Sequence, residues 1–218
     1  MKKWYSLLLV VFCSWIEIKA QSANRLWYNK HAEHIEECLV LGNGKLGATI
    51  FGGAQTDKIW LNDATLWSGQ PVDANMNPEA YKNLPAIREA LQLEDYKQAD
   101  QLNRKLQGRF SESFAPLGTL YVQHKVDGKP NHYYRELNIE NAISAIRYEV
   151  NGVRYTREYL VSAPDQVFMI KLTTNKKGSL SFDLKYSSLL NNQVSSSNQT
   201  LRLNGYAPHH AEPSYRQV

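Results

Sequence analysis

The stretch from Ile146 to Ser162 leaves this chain little freedom in how it folds. Ile146, Tyr148 and Val150 alternate with Arg147 and Glu149, and Asn151-Gly152 follows. Val153, Tyr155, Arg157, Tyr159 and Val161 then alternate with Arg154, Thr156, Glu158, Leu160 and Ser162. A side-chain period of two sends one set to a packed face and the other toward solvent. Asn-Gly is the pair best suited to a two-residue turn with positive φ at both positions. The segment therefore reads as an antiparallel hairpin with one buried face.

The same pattern continues downstream. Pro164-Asp165 turns the chain, Phe168, Ile170 and Leu172 form the next apolar face, and Lys176-Lys177-Gly178 turns it back. Leu180, Phe182, Leu184 and Tyr186 complete four successive strands, an expected antiparallel meander of the kind that builds sandwiches. Ser187 to Thr200 is rich in Ser and Asn and reads as a long exposed loop. Upstream, Lys45–Phe51 and Lys58–Leu61 are apolar runs separated by Gly52-Gly53 and Gln55-Thr56-Asp57, a hairpin with a longer loop. One segment breaks the β pattern. Residues 84–107 have helical spacing in two pieces, Ile87, Ala90 and Leu91, then Ala99, Leu102 and Leu106. Asn83 is placed to cap the first piece, Pro85 suits its first turn, Leu93-Glu94-Asp95 breaks the two, and Gly108 offers a stop.

The beginning of the chain is different in kind. Lys2 and Lys3 precede an apolar run from Trp4 to Ile16, and Ile18-Lys19-Ala20 offers a small residue for cleavage. That is the layout of a secretory leader over residues 1–20. The run is shorter than the roughly 20 apolar residues a spanning helix needs. The expected product is exported, periplasmic or extracellular, with no membrane attachment after cleavage. Residues 21–218 are then one domain, long enough to bury about 70% of its unfolded surface. Lys2, Lys3 and Lys19 against Glu17 account for half of the net charge of +4. No Lys/Arg run remains, so nucleic acid is a poor partner. Beyond the leader only Cys38 is left, within an apolar run, so the core depends on packing rather than on a disulfide within the chain.

The chemistry-bearing motifs are few. Gly42-Asn43-Gly44-Lys45-Leu46-Gly47 has the letters of a dinucleotide fingerprint. However, strand residues follow it where a helix must open, so it reads as a glycine-rich β turn. His31 with His34, and His209 with His210, lack a third ligand at metal spacing; neither a metal nor a cofactor is expected. Trp27 and Trp60 default to the core, whereas Trp67, in Trp67-Ser68-Gly69-Gln70-Pro71, reads as a loop tryptophan able to stack on a sugar face. A glycosidase needs two carboxyl groups, about 6.5–9.5 Å apart for inversion and about 5–5.5 Å for retention. Asp57, Asp63, Asp73 and Glu79 all read as solvated carboxylates at turns and edges. From the residues alone, the chain is an exported β-sandwich with sugar-facing aromatics.

Several segments together resemble the opening of glycoside hydrolase family 95. They are Arg25-Leu26-Trp27-Tyr28, Leu41–Ala48, Phe51-Gly52-Gly53, Leu61–Gly69, Pro116-Leu117-Gly118, Tyr134-Arg135-Glu136-Leu137, Ala163–Gln166 and Gly205–His210. The resemblance implies a mainly β fold, an antiparallel β super-sandwich with a short helical insertion at about 84–107. It implies the N-terminal part of an α-L-fucosidase that cleaves terminal α-1,2-linked fucose with inversion, related α-L-galactosidases being near neighbours. It also puts the chemistry in an (α/α)6 barrel that this sequence does not reach, so no catalytic residue carries over. The chain is accordingly expected to be C-terminally truncated, with fucosylated glycans and the barrel as the partners of the intact enzyme. Trp67, His209 and His210 are the expected substrate-facing residues. A stand-alone carbohydrate-binding module and a non-functional gene fragment are the alternatives.

Overall fold

The structure is a computed structural model and describes residues 24–71, 73–108 and 110–211. The leader over residues 1–20 and the chain end at Ser214–Val218 lie outside the described residues. Among the described residues no helix is long and apolar enough to cross a membrane.

The expected fold class holds. Two five-stranded antiparallel sheets pack face to face. The first runs in the order β1 (Arg25–Tyr28), β6 (Asn131–Asn138), β7 (Ile143–Val150), β8 (Val153–Ser162) and β9 (Val167–Thr174). The second runs β10 (Phe182–Ser187), β5 (Gly118–His124), β4 (Thr56–Asp63), β3 (Leu46–Ile50) and β2 (Leu39–Gly42). A separate two-stranded ribbon joins β11 (Asn191–Ser197) to β12 (Thr200–Tyr206). Between β4 and β5 stands the helical insertion, α1 (Leu84–Gln92) and α2 (Tyr96–Asn103).

The alternation along β7 and β8 decides the core. Ile146, Tyr148, Val150, Tyr155, Tyr159 and Val161 face inward from the first sheet, against Leu41, Ala48, Ile50, Ile59 and Val122 from the second. Each large side chain buried this way contributes about 1.5–3 kcal/mol. The turn between β7 and β8 has φ of 50° at Asn151 and 75° at Gly152, as its sequence requires. The glycine-rich segment is also a turn. Gly42 pairs with Gly47 across β2 and β3, and Asn43 Oδ1 accepts from the backbone N–H groups of Lys45 and Leu46.

The structure corrects several details. The meander stops at β9: β10 crosses over and pairs with β5 in the other sheet. Leu184 lies opposite Val122, but at the sheet edge Phe182 and Leu184 stay 38% and 49% exposed, and alternation gives the face of a strand and not its neighbour. The expected loop at 187–200 contains β11, whose ladder with β12 is closed by Asn198 and Gln199, both at positive φ. Ser- and Asn-rich strands bury no apolar face, so they leave no hydrophobic pattern to read. Asn83 makes no side-chain cap, because a turn of 3-10 helix (Ala80–Asn83) already precedes α1. The side-chain cap is at α2, where Asp95 accepts from the Gln98 N–H. The end of α2 tightens into a 3-10 turn (Arg104–Leu106) rather than waiting for Gly108.

Asp57 and the tryptophans are also corrected. Asp57 is fully buried, not solvated. It shares the inward parity of Ile59 on β4, and it meets Arg157, the one charged residue on the apolar face of β8. Arg157 Nη1 lies 3.4 Å from Asp57 Oδ2 and donates to Gly53 O at 2.7 Å, while Nη2 donates to Tyr148 Oη at 2.8 Å and to Ala54 O. The Tyr159 hydroxyl and the Gly52 N–H also donate to the carboxylate. Burial pushes the Asp57 carboxyl up, against the pull of Arg157, Tyr159 and Gly52. The network ties the 52–54 turn of one sheet to the other. Trp27 and Trp60 are 59% and 38% exposed, on outer faces rather than in the core, where Tyr148, Tyr155 and Tyr159 occupy the space.

Candidate functional site

Three segments far apart in sequence meet beside the second sheet. The chain leaving β4 turns through Asp63, whose carboxylate accepts from Thr65 Oγ1 at 2.6 Å and from the Thr65 N–H at 2.9 Å. Residues 66–68 then pair with 113–115, the segment leading into β5. Ser68 N donates to Ser113 O, Ala115 N donates to Leu66 O, and Trp67 bridges Phe114. The third segment is the exit from β12, whose Pro208 O accepts from the Gly69 N–H at 3.0 Å.

Glu112 fastens these pieces. Its Oε1 lies 2.6 Å from His210 Nδ1. Its Oε2 accepts from Ser68 Oγ at 2.7 Å and from the Ala211 N–H at 3.0 Å. The residue is held at φ 74°, a left-handed conformation that a side-chain-bearing residue adopts only when its surroundings compensate. The contacts from His210, first, and Ser68 hold its carboxyl down at about 2. Gly69 faces it at φ 96°, and a Cβ added there would overlap Glu112 Cγ, so glycine is required twice over.

The three residues expected to face substrate thus come to one place. Trp67 is 50% exposed, its Nε1 donates to Ala64 O at 3.0 Å, and its ring meets Phe114 edge-on with centroids 6.4 Å apart. His209 Nε2 lies 3.3 Å from Gln70 Oε1, and His210 is the partner of Glu112. Reading the sequence missed Glu112, Ser68 and Gln70. No local signal marks them, since Ser68 and Glu112 are 44 residues apart and Glu112 and His210 are 98 apart.

The chemistry this junction can do is limited. A general acid needs a pKa near the working pH. Glu112, ionised at neutral pH with both oxygens engaged, is suited to hold loops in place instead. Elsewhere, His31 and His34 are exposed, and no group of three or more His, Cys, Asp or Glu able to hold a metal occurs among the described residues. Burial raises the Cys38 thiol above its ordinary range, and its Sγ donates to His34 O at 3.4 Å, the state of an inert thiol rather than a nucleophile.

Comparison with known proteins matches residues 26–217 to the family described as "Glycosyl hydrolase family 65, N-terminal domain". Over 169 residues the chain is 32% identical to "Alpha-L-fucosidase 2" of Arabidopsis thaliana, covering 76% of this chain and 20% of that protein. It is 32% identical over 163 residues to "Probable alpha-fucosidase A" of Aspergillus oryzae, covering 70% of this chain and 22% of that protein. A protein of the same description from Aspergillus niger is 26% identical over 165 residues. The chain spans about a fifth of the length of these relatives.

Proposed function

This chain belongs to the family of glycosyl hydrolase family 65 N-terminal domains, and from that premise we propose that it is the non-catalytic N-terminal domain of an exported α-L-fucosidase of the family 95 type. The observation that carries this reading is the pair of relatives described as fucosidases, each 32% identical and each matched over only about a fifth of its length. The site supports it from the other side. The Glu112 carboxylate is a loop clamp with both oxygens engaged, a state that suits neither the proton donor nor the base or nucleophile that glycoside cleavage demands. In this reading the hydrolysis of terminal α-1,2-linked fucose, with inversion, belongs to a barrel domain outside these residues. The sandwich supports that barrel, and the Glu112 junction holds Trp67, His209 and His210 toward the bound sugar. The leader pattern of residues 1–20 supports export.

The test is the product formed by the same residues joined in frame to the polypeptide encoded downstream. On 2′-fucosyllactose, the first fucose seen by proton NMR is the β anomer if the bond is cleaved with inversion. Initial formation of the α anomer refutes inversion, and no release of fucose refutes the fucosidase reading.

A further inference from the structure

A groove of about 640 Å³ runs along the outer face of the second sheet. Its floor follows from strand parity. Ile59 points into the core, so Trp60 and Asn62 on β4 point out. Trp60 is paired with Thr49 on one side and Thr119 on the other, and Tyr121 follows Thr119 outward along β5. Phe114, 46% exposed, forms a wall. Three features mark it as built for something. Trp60 is held edge-on by buried Phe51, centroids 5.0 Å apart at 70°, so its ring does not need ordering on binding. Asn62 Oδ1 is buried with no hydrogen-bond partner among the described residues, a costly state that a turn of its amide toward a ligand in the groove would relieve. None of the described lining residues carries a charge, and the neighbouring Lys58 ammonium lies over the Phe51 and Trp60 rings, 3.5 and 5.2 Å from their centroids.

We propose that this groove, which adjoins the Glu112 junction through the Phe114–Trp67 contact, is a binding site for a neutral oligosaccharide. The lining selects that chemistry. Phosphates, nucleic acids and acidic or basic peptides need a counter-charge that the described lining lacks, the Lys58 ammonium nearby being engaged by the Phe51 ring. A neutral polyol needs apolar faces to lie on and scattered donors and acceptors for its hydroxyls, and here aromatic rings alternate with the Thr49 and Thr119 hydroxyls and the Asn62 amide. Turning the Asn62 amide toward the groove would let a sugar hydroxyl satisfy it, and Trp60 and Tyr121 supply the surface. The groove gives the domain a hold on glycan beyond the one scissile residue. This rests on the glycoside hydrolase reading only for its choice of probes.

The experiment is a titration of residues 21–218 with 2′-fucosyllactose, lactose and maltotriose, followed by tryptophan fluorescence and by amide NMR shifts. The expected result is saturable binding of at least one sugar, with a Kd on the order of 1 mM or tighter and shifts centred on residues 49, 60, 62, 119 and 121. Trp60→Ala and Asn62→Leu should each weaken it about tenfold or more, with the circular dichroism unchanged. Trp27→Ala, on the outer face of the other sheet, should leave it intact. No saturable response to any of the three sugars overturns the proposal, as it would for a groove that seats a protein segment. Binding that survives Trp60→Ala, or that Trp27→Ala abolishes, overturns it too. Maltotriose binding without 2′-fucosyllactose binding upholds the groove and counts against the fucosidase reading. Fucose release by the joined polypeptide with a silent groove does the reverse.

Discussion

His124 should add to the acid sensitivity of this fold, and removing it should remove that part of the sensitivity. The residue ends β5 on the inner side, between the rings of Tyr155 and Phe182, with centroids 6.3 and 6.0 Å away. It is 8% exposed, and neither ring nitrogen has a hydrogen-bond partner among the described residues. Burial, reinforced by the nearby Arg157 charge, lowers its pKa from 6.5 to about 4. The imidazole is therefore neutral in the fold at pH values where the unfolded chain takes up a proton. Stability from this group is complete above pH 6.5, falls between 6.5 and about 4, and falls no further below that. At about 1.36 kcal/mol per pH unit the loss has a ceiling of about 3 kcal/mol, which solvent screening brings to about 1–2 kcal/mol. The assay is urea unfolding of the wild type and His124→Leu at pH 7.5 and 4.5. Other titrating groups affect both proteins alike, so the difference of differences isolates His124. At pH 7.5 the variant should be as stable or slightly more so, because it loses no hydrogen bond. Equal acid sensitivity in the two proteins refutes the reasoning.

Asp57→Ala strands a buried guanidinium and should cost about 3–5 kcal/mol in chemical denaturation; a cost below about 1 kcal/mol would mean that water reaches the pair. Gly69→Ala must place a Cβ against Glu112 at φ 96° and should cost about 1–3 kcal/mol, with NMR shifts reaching His209 and His210. Gly152→Ala meets no atom within 4 Å but keeps φ 75°, so its cost is purely conformational, about 1 kcal/mol. The Glu112 carboxyl, followed by carbon NMR, should titrate near 2 and not near the ordinary 4.5. Its depressed value means that the clamp's contribution is complete above pH 4.5, is lost progressively as pH falls from 4.5 to about 2, and falls no further below that.

What the sequence reveals and what it hides divide along physical lines. The β7–β8 hairpin is legible because both its signals are local: alternation sets the face, and Asn151-Gly152 sets the turn. Arg157 sits openly on an apolar face, but its partner Asp57 lies 100 residues earlier and is fixed by the pairing of two sheets. The destination of β10 is hidden for the same reason, since Phe182 and Leu184 would suit the edge of either sheet. Trp60 misleads because bulk suggests the core, whereas its position after Ile59 on β4 puts it outside. Trp67, His209 and His210 could be singled out by residue type and resemblance. Glu112, which joins them, could not, because its function depends entirely on segments brought together by the fold.

In the proposed reading these residues support and position but do not hydrolyse. Purified residues 21–218, incubated with 2′-fucosyllactose while free fucose is followed over time, should release none above the enzyme-free blank, with a cooperative thermal transition confirming that the domain is folded. Release that grows with protein concentration and disappears in Glu112→Gln would contradict it, and would make the junction a catalytic centre.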